Sequence, residues 1–253
     1  MNNPAETPWL SLQGISFSRA GRTILSDVSL QFGSRELTLL TGQNGSGKTT
    51  LLRILAGLLK PDSAILNIEG EKRAESWMRG RSALRNNICY LHQQPYLFDA
   101  TVFDNVAYGL RRRGLGRSEI GRLVTGALKT TGLDHLIQRH CGQLSGGEKQ
   151  RVAMVRAWVL QPRLLLLDEP VANMDKPSRN KCLALINRMQ RDNIAVVLTS
   201  HDPQQGALHI SRHLHLYQGR MASKESLAEP SESPAAVSPA QPEKQPQERK
   251  PNA

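Results

Sequence analysis

This chain of 253 residues is poor in aromatics and cysteine and has no long apolar run. Aromatics are 4% of the residues and hydrophobic residues 39%, so a packed core is expected to consist mainly of Leu, Ile, Val and Ala. The three cysteines, Cys89, Cys141 and Cys182, are too few and too scattered for a disulfide framework and fit a reducing compartment. No apolar run approaches the roughly 20 residues that span a bilayer, so any membrane role is expected to be peripheral. Met1 to Pro8 lack a basic start and an apolar centre, and no signal peptide is expected there. Carboxylates are in deficit: 33 Lys and Arg against 22 Asp and Glu give a net charge of +11. Such a balance suits anionic partners (nucleotides, nucleic acid or an anionic membrane face) or simply a solvated basic surface.

Punctuation and periodicity divide what remains. From Trp9 to Phe32 the pattern predicts short strands, with Val28, Leu30 and Phe32 alternating with Ser29 and Gln31. Leu37 to Thr41 is a short apolar run ending at Gly42. Thr49 to Lys60 has helical spacing, with Leu51, Leu55 and Leu58 on one face and Pro61 as the stop. Asn87 to His92 can form a strand, and residues 99–160 read mostly as helices. Arg111-Arg112-Arg113 reads as a solvated turn or helix end. Four leucines between Arg163 and Asp168 mark a strand buried on both faces, and Ile194 to Ser200 repeats the theme after a helix over 176–192. This alternation predicts an α/β fold with a parallel sheet plus an antiparallel piece near the start. Residues 221–253 are rich in Pro, Ser, Glu, Ala, Gln and Lys and are expected to be a disordered polar tail.

Gly42-Gln43-Asn44-Gly45-Ser46-Gly47-Lys48-Thr49 has the spacing of a phosphate-binding loop. Glycines let successive N–H groups turn inward, and the following helix points its positive end at the same anion. Lys48 would place an ammonium on the terminal phosphates of ATP, and Thr49 a hydroxyl on Mg²⁺; Thr50 completes the nucleotide-binding set. The run Leu164 to Pro170 puts Asp168 and Glu169 at the carboxyl end of a strand, where ligand sites of parallel sheets lie. Asp168 is expected to hold Mg²⁺ through water, and Glu169 to accept a proton from an attacking water.

The segment Leu144-Ser145-Gly146-Gly147-Glu148-Lys149-Gln150-Arg151 resembles the signature of ATP-binding-cassette (ABC) ATPases. With the phosphate loop before it and Leu-Leu-Leu-Leu-Asp-Glu-Pro after it, the resemblance covers roughly residues 9–220. It implies a P-loop NTPase core with a parallel sheet, an antiparallel β subdomain and a helical subdomain inserted at about 99–160. It also implies roles for further residues. Gln93, chosen over Gln94 because the family pattern is Gln-x-Pro, looks like the glutamine that senses Mg²⁺ and the attacking water. Asp175 matches the family's D-loop aspartate, and His201 the switch histidine near the γ-phosphate. Where the family places an adenine-stacking aromatic, Arg19 stands here, and its planar guanidinium can stack instead; Phe17 reads as core. His209, His213 and His215 read as strand and surface histidines rather than metal ligands.

Ser145, Gly146 and Gly147 at a helix start make a second anion site. The family implies that it grips ATP held by another subunit. One phosphate loop, one signature and no repeat then imply a homodimer or a dimer with a paralogue, head to tail. The segment Gln93 to Val106 resembles importer subunits, in which this region receives a membrane permease. The resemblance therefore implies an ATP-hydrolysing subunit on the cytoplasmic face of the membrane, with permease subunits and a solute-binding protein as partners. Its nearest likeness is to tungstate, molybdate and phosphate uptake, so the expected substrate is an inorganic anion or a metal ion. No specific nucleic-acid partner is expected. The alternative is a soluble ABC ATPase of DNA repair, translation or cofactor assembly. The chain has neither the second cassette usual in translation factors nor the long coiled-coil insertion usual in repair members.

Overall fold

The computed structural model describes residues 8–72, 77–200 and 208–222. Two sheets organise them. Strands β1 (Leu10–Arg19), β2 (Arg22–Phe32), β4 (Ser63–Ile68) and β5 (Glu71–Lys72) form an antiparallel sheet in the order β2-β1-β4-β5. Strands β3 (Leu37–Thr41), β6 (Ile88–Leu91), β7 (Leu164–Leu167), β8 (Ala195–Thr199) and β9 (Arg212–Tyr217) are parallel, in the order β9-β3-β8-β7-β6. The short strand β10 (Arg220–Met221) pairs antiparallel with β9 at the edge. Helices α1 (Lys48–Leu55), α2 (Trp77–Asn87), α3 (Val102–Arg112), α4 (Arg117–Thr130), α5 (Gly146–Trp158) and α6 (Lys176–Arg191) complete the described regular structure, with two short 3₁₀ turns before α5.

The central strands β3, β8 and β7 of the parallel sheet are buried on both faces, and alternation along them feeds two cores. Leu37, Leu39, Leu165, Leu167, Val196 and Leu198 pack with residues of α3 to α6. Leu40, Leu164, Leu166, Ala195 and Val197 pack with α1 and the antiparallel sheet. All four leucines of β7 are fully buried, each contributing about 1.5–3 kcal/mol relative to exposure. This double burial explains why β7 reads as an uninterrupted apolar run.

Several elements differ from the pattern in the sequence. The early strands are long, at 10 and 11 residues, because β1 is hydrogen-bonded on both sides, to β2 and β4. Helix α1 ends at Leu55, not at Lys60. Gly57 follows in the left-handed conformation (φ 65), where a side chain is disfavoured, and Leu58 is 52% exposed although its spacing predicted burial. Helix α2 had no clear apolar stripe to announce it. Met221 pairs with Leu216, so the sheet extends past the tail boundary expected at residue 221; residues 223–253 lie outside the described residues.

Candidate functional site

Strand β3 delivers Thr41 to Gly42, where the chain leaves the sheet. Gly42 has φ 150, and a β-carbon there would lie 2.2 Å from the Leu216 carbonyl oxygen of β9. Only glycine fits so close to a neighbouring backbone. Gly47, with φ 106, is the residue before α1, and a side chain there would meet Leu25 Cδ2 at 2.8 Å. No side chain caps the first turn of α1. The Ser46 Oγ is buried and has no hydrogen-bond partner among the described residues. Lys48 donates to the Gly42 carbonyl at 2.7 Å and the Gln43 carbonyl at 3.0 Å, which folds its ammonium back over the loop. Burial pulls the Lys48 ammonium below its ordinary value, while the Glu169 and Asp168 carboxylates oppose that pull. Gln43, Asn44 and Gly45 form the exposed arch of the loop, and Thr50 is half-buried in the first turn of α1. An orphaned hydroxyl, an uncapped helix start and a tethered ammonium fit a polyphosphate.

The two carboxylates meet this loop from β7. Thr49 donates its hydroxyl to Asp168 Oδ2 at 2.8 Å, and the Tyr90 hydroxyl donates to the same oxygen at 3.0 Å. Thr199 donates to Asp168 Oδ1 at 2.9 Å and accepts the Glu169 N–H at 2.8 Å. Glu169 has φ 47, a conformation that stores about 1–3 kcal/mol in a non-glycine residue. Its carboxylate Oε2 accepts from Gln93 Nε2 at 3.0 Å. Burial, then the Asp168 charge, pushes the Tyr90 phenol up to about 12, so it stays a donor. Thr49 and Asp168 present hydroxyl and carboxylate oxygens side by side, the ligand type a hard divalent cation takes. Tyr90 and Thr199 carried no signal in the sequence, because their roles arise from the pairing of β6, β7 and β8.

The signature segment sits at a different helix start. Ser145 caps α5 and accepts from the Glu148 N–H at 3.3 Å, while Glu148 Oε2 accepts from the Ser145 N–H and hydroxyl, both at 2.8 Å. This is a complete capping box. The Ser145 N–H first, then its hydroxyl, holds the Glu148 carboxyl below the usual carboxylate range. Asp175 caps α6 and accepts from the Ser178 N–H at 3.4 Å. A β-carbon on Gly147 would lie 2.8 Å from Ser178 Oγ, so Ser178 joins the signature turn to the Asp175 turn. Gly146 has open space where a β-carbon would be. His201 lies outside the described residues.

Two clefts flank these groups. One, of about 380 Å³, runs beside the phosphate loop between the β1–β2 hairpin and the β9–β10 turn; Arg22, Thr23, Gln218 and Gly219 line it together with Asn44 and Gly45. Arg19, expected to stack on a base, is exposed and is not among its lining residues; Arg22, its cross-strand partner, is. Phe17 packs half-buried against the core, as its spacing suggested. The other cleft, of about 910 Å³, opens where the chain leaves β6, lined by Leu91, Pro95, Tyr96, Phe98, Tyr108 and Arg156 among others. Tyr96 is 74% exposed there. Arg156 of α5 donates to the Tyr96 carbonyl at 2.8 Å and lies over the Phe98 ring at 5.5 Å.

Residues 25–172, more than half of the chain, match the family model described as "ABC transporter". The chain belongs to the ABC transporter family. It carries that family's ATP-binding domain. It is 34% identical to the spermidine/putrescine import ATP-binding protein PotA of Haemophilus influenzae over 92% of this chain, a match spanning 62% of that relative's length. It is 40% identical to a putative ABC transporter ATP-binding protein of Brucella suis, over 77% of this chain and 80% of that one. The solved structure of cbiO1 from Clostridium perfringens, described as part of the ABC transporter complex cbiONQ, superposes with a TM-score of 0.77 at 31% identity, covering 88% of this chain and 92% of that one. Other relatives are named for Fe(3+), sulfate/thiosulfate and molybdate/tungstate import and for lipoprotein release. No helix among the described residues is long and apolar enough to cross a membrane.

Proposed function

We propose that the chain is the ATP-hydrolysing subunit of an ABC importer, lying peripherally on a membrane permease and working as a head-to-tail dimer. The observation that carries this reading is the convergence of Lys48, Thr49, Asp168, Glu169 and Gln93 on one phosphate loop, with a second glycine-marked helix start elsewhere on the chain. Lys48 and the loop N–H groups bind the phosphates. Thr49 and Asp168, with Gln93, hold Mg²⁺. When bound, such an ion would offset the charge that develops on the phosphate oxygens. Glu169 takes the proton of a water whose oxygen bonds to the γ-phosphorus as the bond to the β-phosphate oxygen breaks, releasing ADP and phosphate. Gln93 orients that carboxylate through its 3.0 Å hydrogen bond.

Ser145, Gly146 and Gly147 of a second copy or a paralogue close over the γ-phosphate, and Asp175 borders the same interface. His201 contributes at the γ-phosphate. The permease seats in the 910 Å³ cleft, whose exposed Tyr96 and apolar walls suit a docked segment. A solute-binding protein completes the system. The substrate is an inorganic anion or a metal ion, the class that most of the named import relatives share. The domain itself runs from about residue 9 to 220, with its helical subdomain near 99–160 and a polar tail after it.

Fractionation after co-expression tests the reading. With the permease encoded alongside it, the chain is expected in the membrane fraction, and Tyr96→Asp is expected to return it to the supernatant with ATP binding intact. A chain that stays in the supernatant with every candidate permease favours the non-transport alternative.

A further inference from the structure

One polar cluster next to the phosphate loop has no part in the chemistry above. Thr41, the last residue of β3, is 8% exposed and stands immediately before Gly42. Three groups of β9 surround its hydroxyl: His213 Nε2 at 3.2 Å, His215 Nδ1 at 3.0 Å and the Leu214 carbonyl at 3.2 Å. A hydroxyl has one hydrogen and accepts at two lone pairs. The carbonyl can only accept. All three contacts are met together when Thr41 donates to Leu214 and both imidazoles donate to Thr41. Neutral rings satisfy this, His213 protonated at Nε2 and His215 at Nδ1, with the opposite nitrogen of each ring left to take a proton. A further proton therefore adds positive charge at the root of the phosphate loop without breaking any of these hydrogen bonds.

The surroundings give that charge a direction. β9 carries Arg212, His213 and Tyr217 beside His215, and of these His213 acts on it; from the start of α1 the cation that acts on it is Lys48; β3 contributes the neutral Thr41. Asp168 and Glu169 act on Lys48 from the turn that follows β7. Burial first, then His213 and Lys48, holds His215 below its ordinary value of 6.5. Phosphates seated on Lys48 would offset the ammonium that opposes protonation. By linkage, whatever favours the protonated ring on binding makes binding tighter as pH falls.

We infer that Thr41, His213 and His215 form a positioning network at the root of the phosphate loop that couples nucleotide binding to proton uptake. The inference rests on the proposed nucleotide site. The sign follows from the surroundings: burial, His213 and Lys48 hold His215 low in the free protein, and phosphates on Lys48 would relieve the part that Lys48 supplies, so the extra affinity is expected as pH falls to about 6.

Calorimetry of Mg-ADP binding tests it, in buffers of different ionisation enthalpy at about pH 6.5 and again at about pH 6 and pH 8. Wild type is compared with the double variant His213→Gln, His215→Gln, so that titration of the nucleotide and of every other group is common to both. Wild type is expected to take up a measurable fraction of a proton more per nucleotide. Its gain in affinity from pH 8 to pH 6 is expected to exceed the variant's by about three- to tenfold. Equal proton uptake and equal pH dependence in the two proteins, with binding intact, overturn the inference and leave the nucleotide site standing. A wild-type chain that binds no nucleotide at any pH overturns both. If circular dichroism shows the double variant unfolded, His215→Gln alone carries the same comparison.

Discussion

The starts of α1 and α5 are both glycine-marked helix N-termini, yet they are finished in opposite ways. At α1 the capping position is Gly47, in a left-handed conformation; no side chain caps the turn, no acid lies in it, and Ser46 Oγ is buried without a partner among the described residues. At α5 Ser145 and Glu148 satisfy each other's backbone in a full capping box. The first helix start is built to be completed by an anion. The second is already stable on its own; Gly146 leaves the surface beside the cap bare, and Gly147 packs against Ser178. Changes at α1 should therefore act mostly on ligand, and changes at α5 on the fold and on whatever meets that surface.

The largest expected effect comes from the group that needs the ligand in place. Glu169→Gln should lower steady-state ATP turnover by about 10²–10⁴-fold while equilibrium nucleotide binding stays within a few fold. Unchanged turnover would remove Glu169 from the role of base. Lys48→Ala follows: a charge-assisted contact to phosphate is lost, and nucleotide affinity in titration calorimetry should drop about ten- to a hundredfold. Its melting temperature should shift less than its affinity suggests; a collapse of the fold with affinity retained would make α1, not α5, the start that serves the fold.

At α5 the order of effects inverts. Ser145→Ala removes the cap and should destabilise the fold by about 1 kcal/mol in chemical denaturation, while nucleotide binding by the monomer is unchanged. Smallest is the acid response of the capping box. Because the folded Glu148 carboxyl is held below its unfolded value of 4.5, its stabilisation is present above that value and is lost as pH falls through the lower folded value. Amide exchange at Gly146 to Glu148 should lose protection over that range in wild type, and Glu148→Gln should abolish the acid-dependent part.

How far the sequence foretold these two sites follows from the range of the contacts that make them. The phosphate loop and the signature are local strings, each formed by its own backbone turn and the following helix, and the Asp168-Glu169 pair ends the apolar run of β7, so residue spacing exposes all three. The buried run of β7 was equally plain, because a strand covered on both faces admits mostly apolar side chains and loses the alternation of a half-exposed one. What stayed hidden depends on distant segments. The β9–β10 turn reaches the phosphate loop from more than 170 residues away, through the parallel pairing of β3 and β9, which puts Gln218 and Gly219 in the cleft and Thr41 between two histidines. Arg22 rather than Arg19 faces that cleft because the hairpin turn at Ala20 and Gly21 reverses the chain between them. Local signals misled at α1, where helical spacing continued to Leu58 although Gly57 had already ended the helix.

If the self-capped turn of one chain completes the uncapped loop of another, the mass of Glu169→Gln depends on Mg-ATP. Light scattering after size exclusion should give a monomer without nucleotide and a dimer with it, and Ser145→Ala added to the same background should weaken that dimer. A mass that stays monomeric at saturating nucleotide, with binding confirmed on the same sample, would contradict the account.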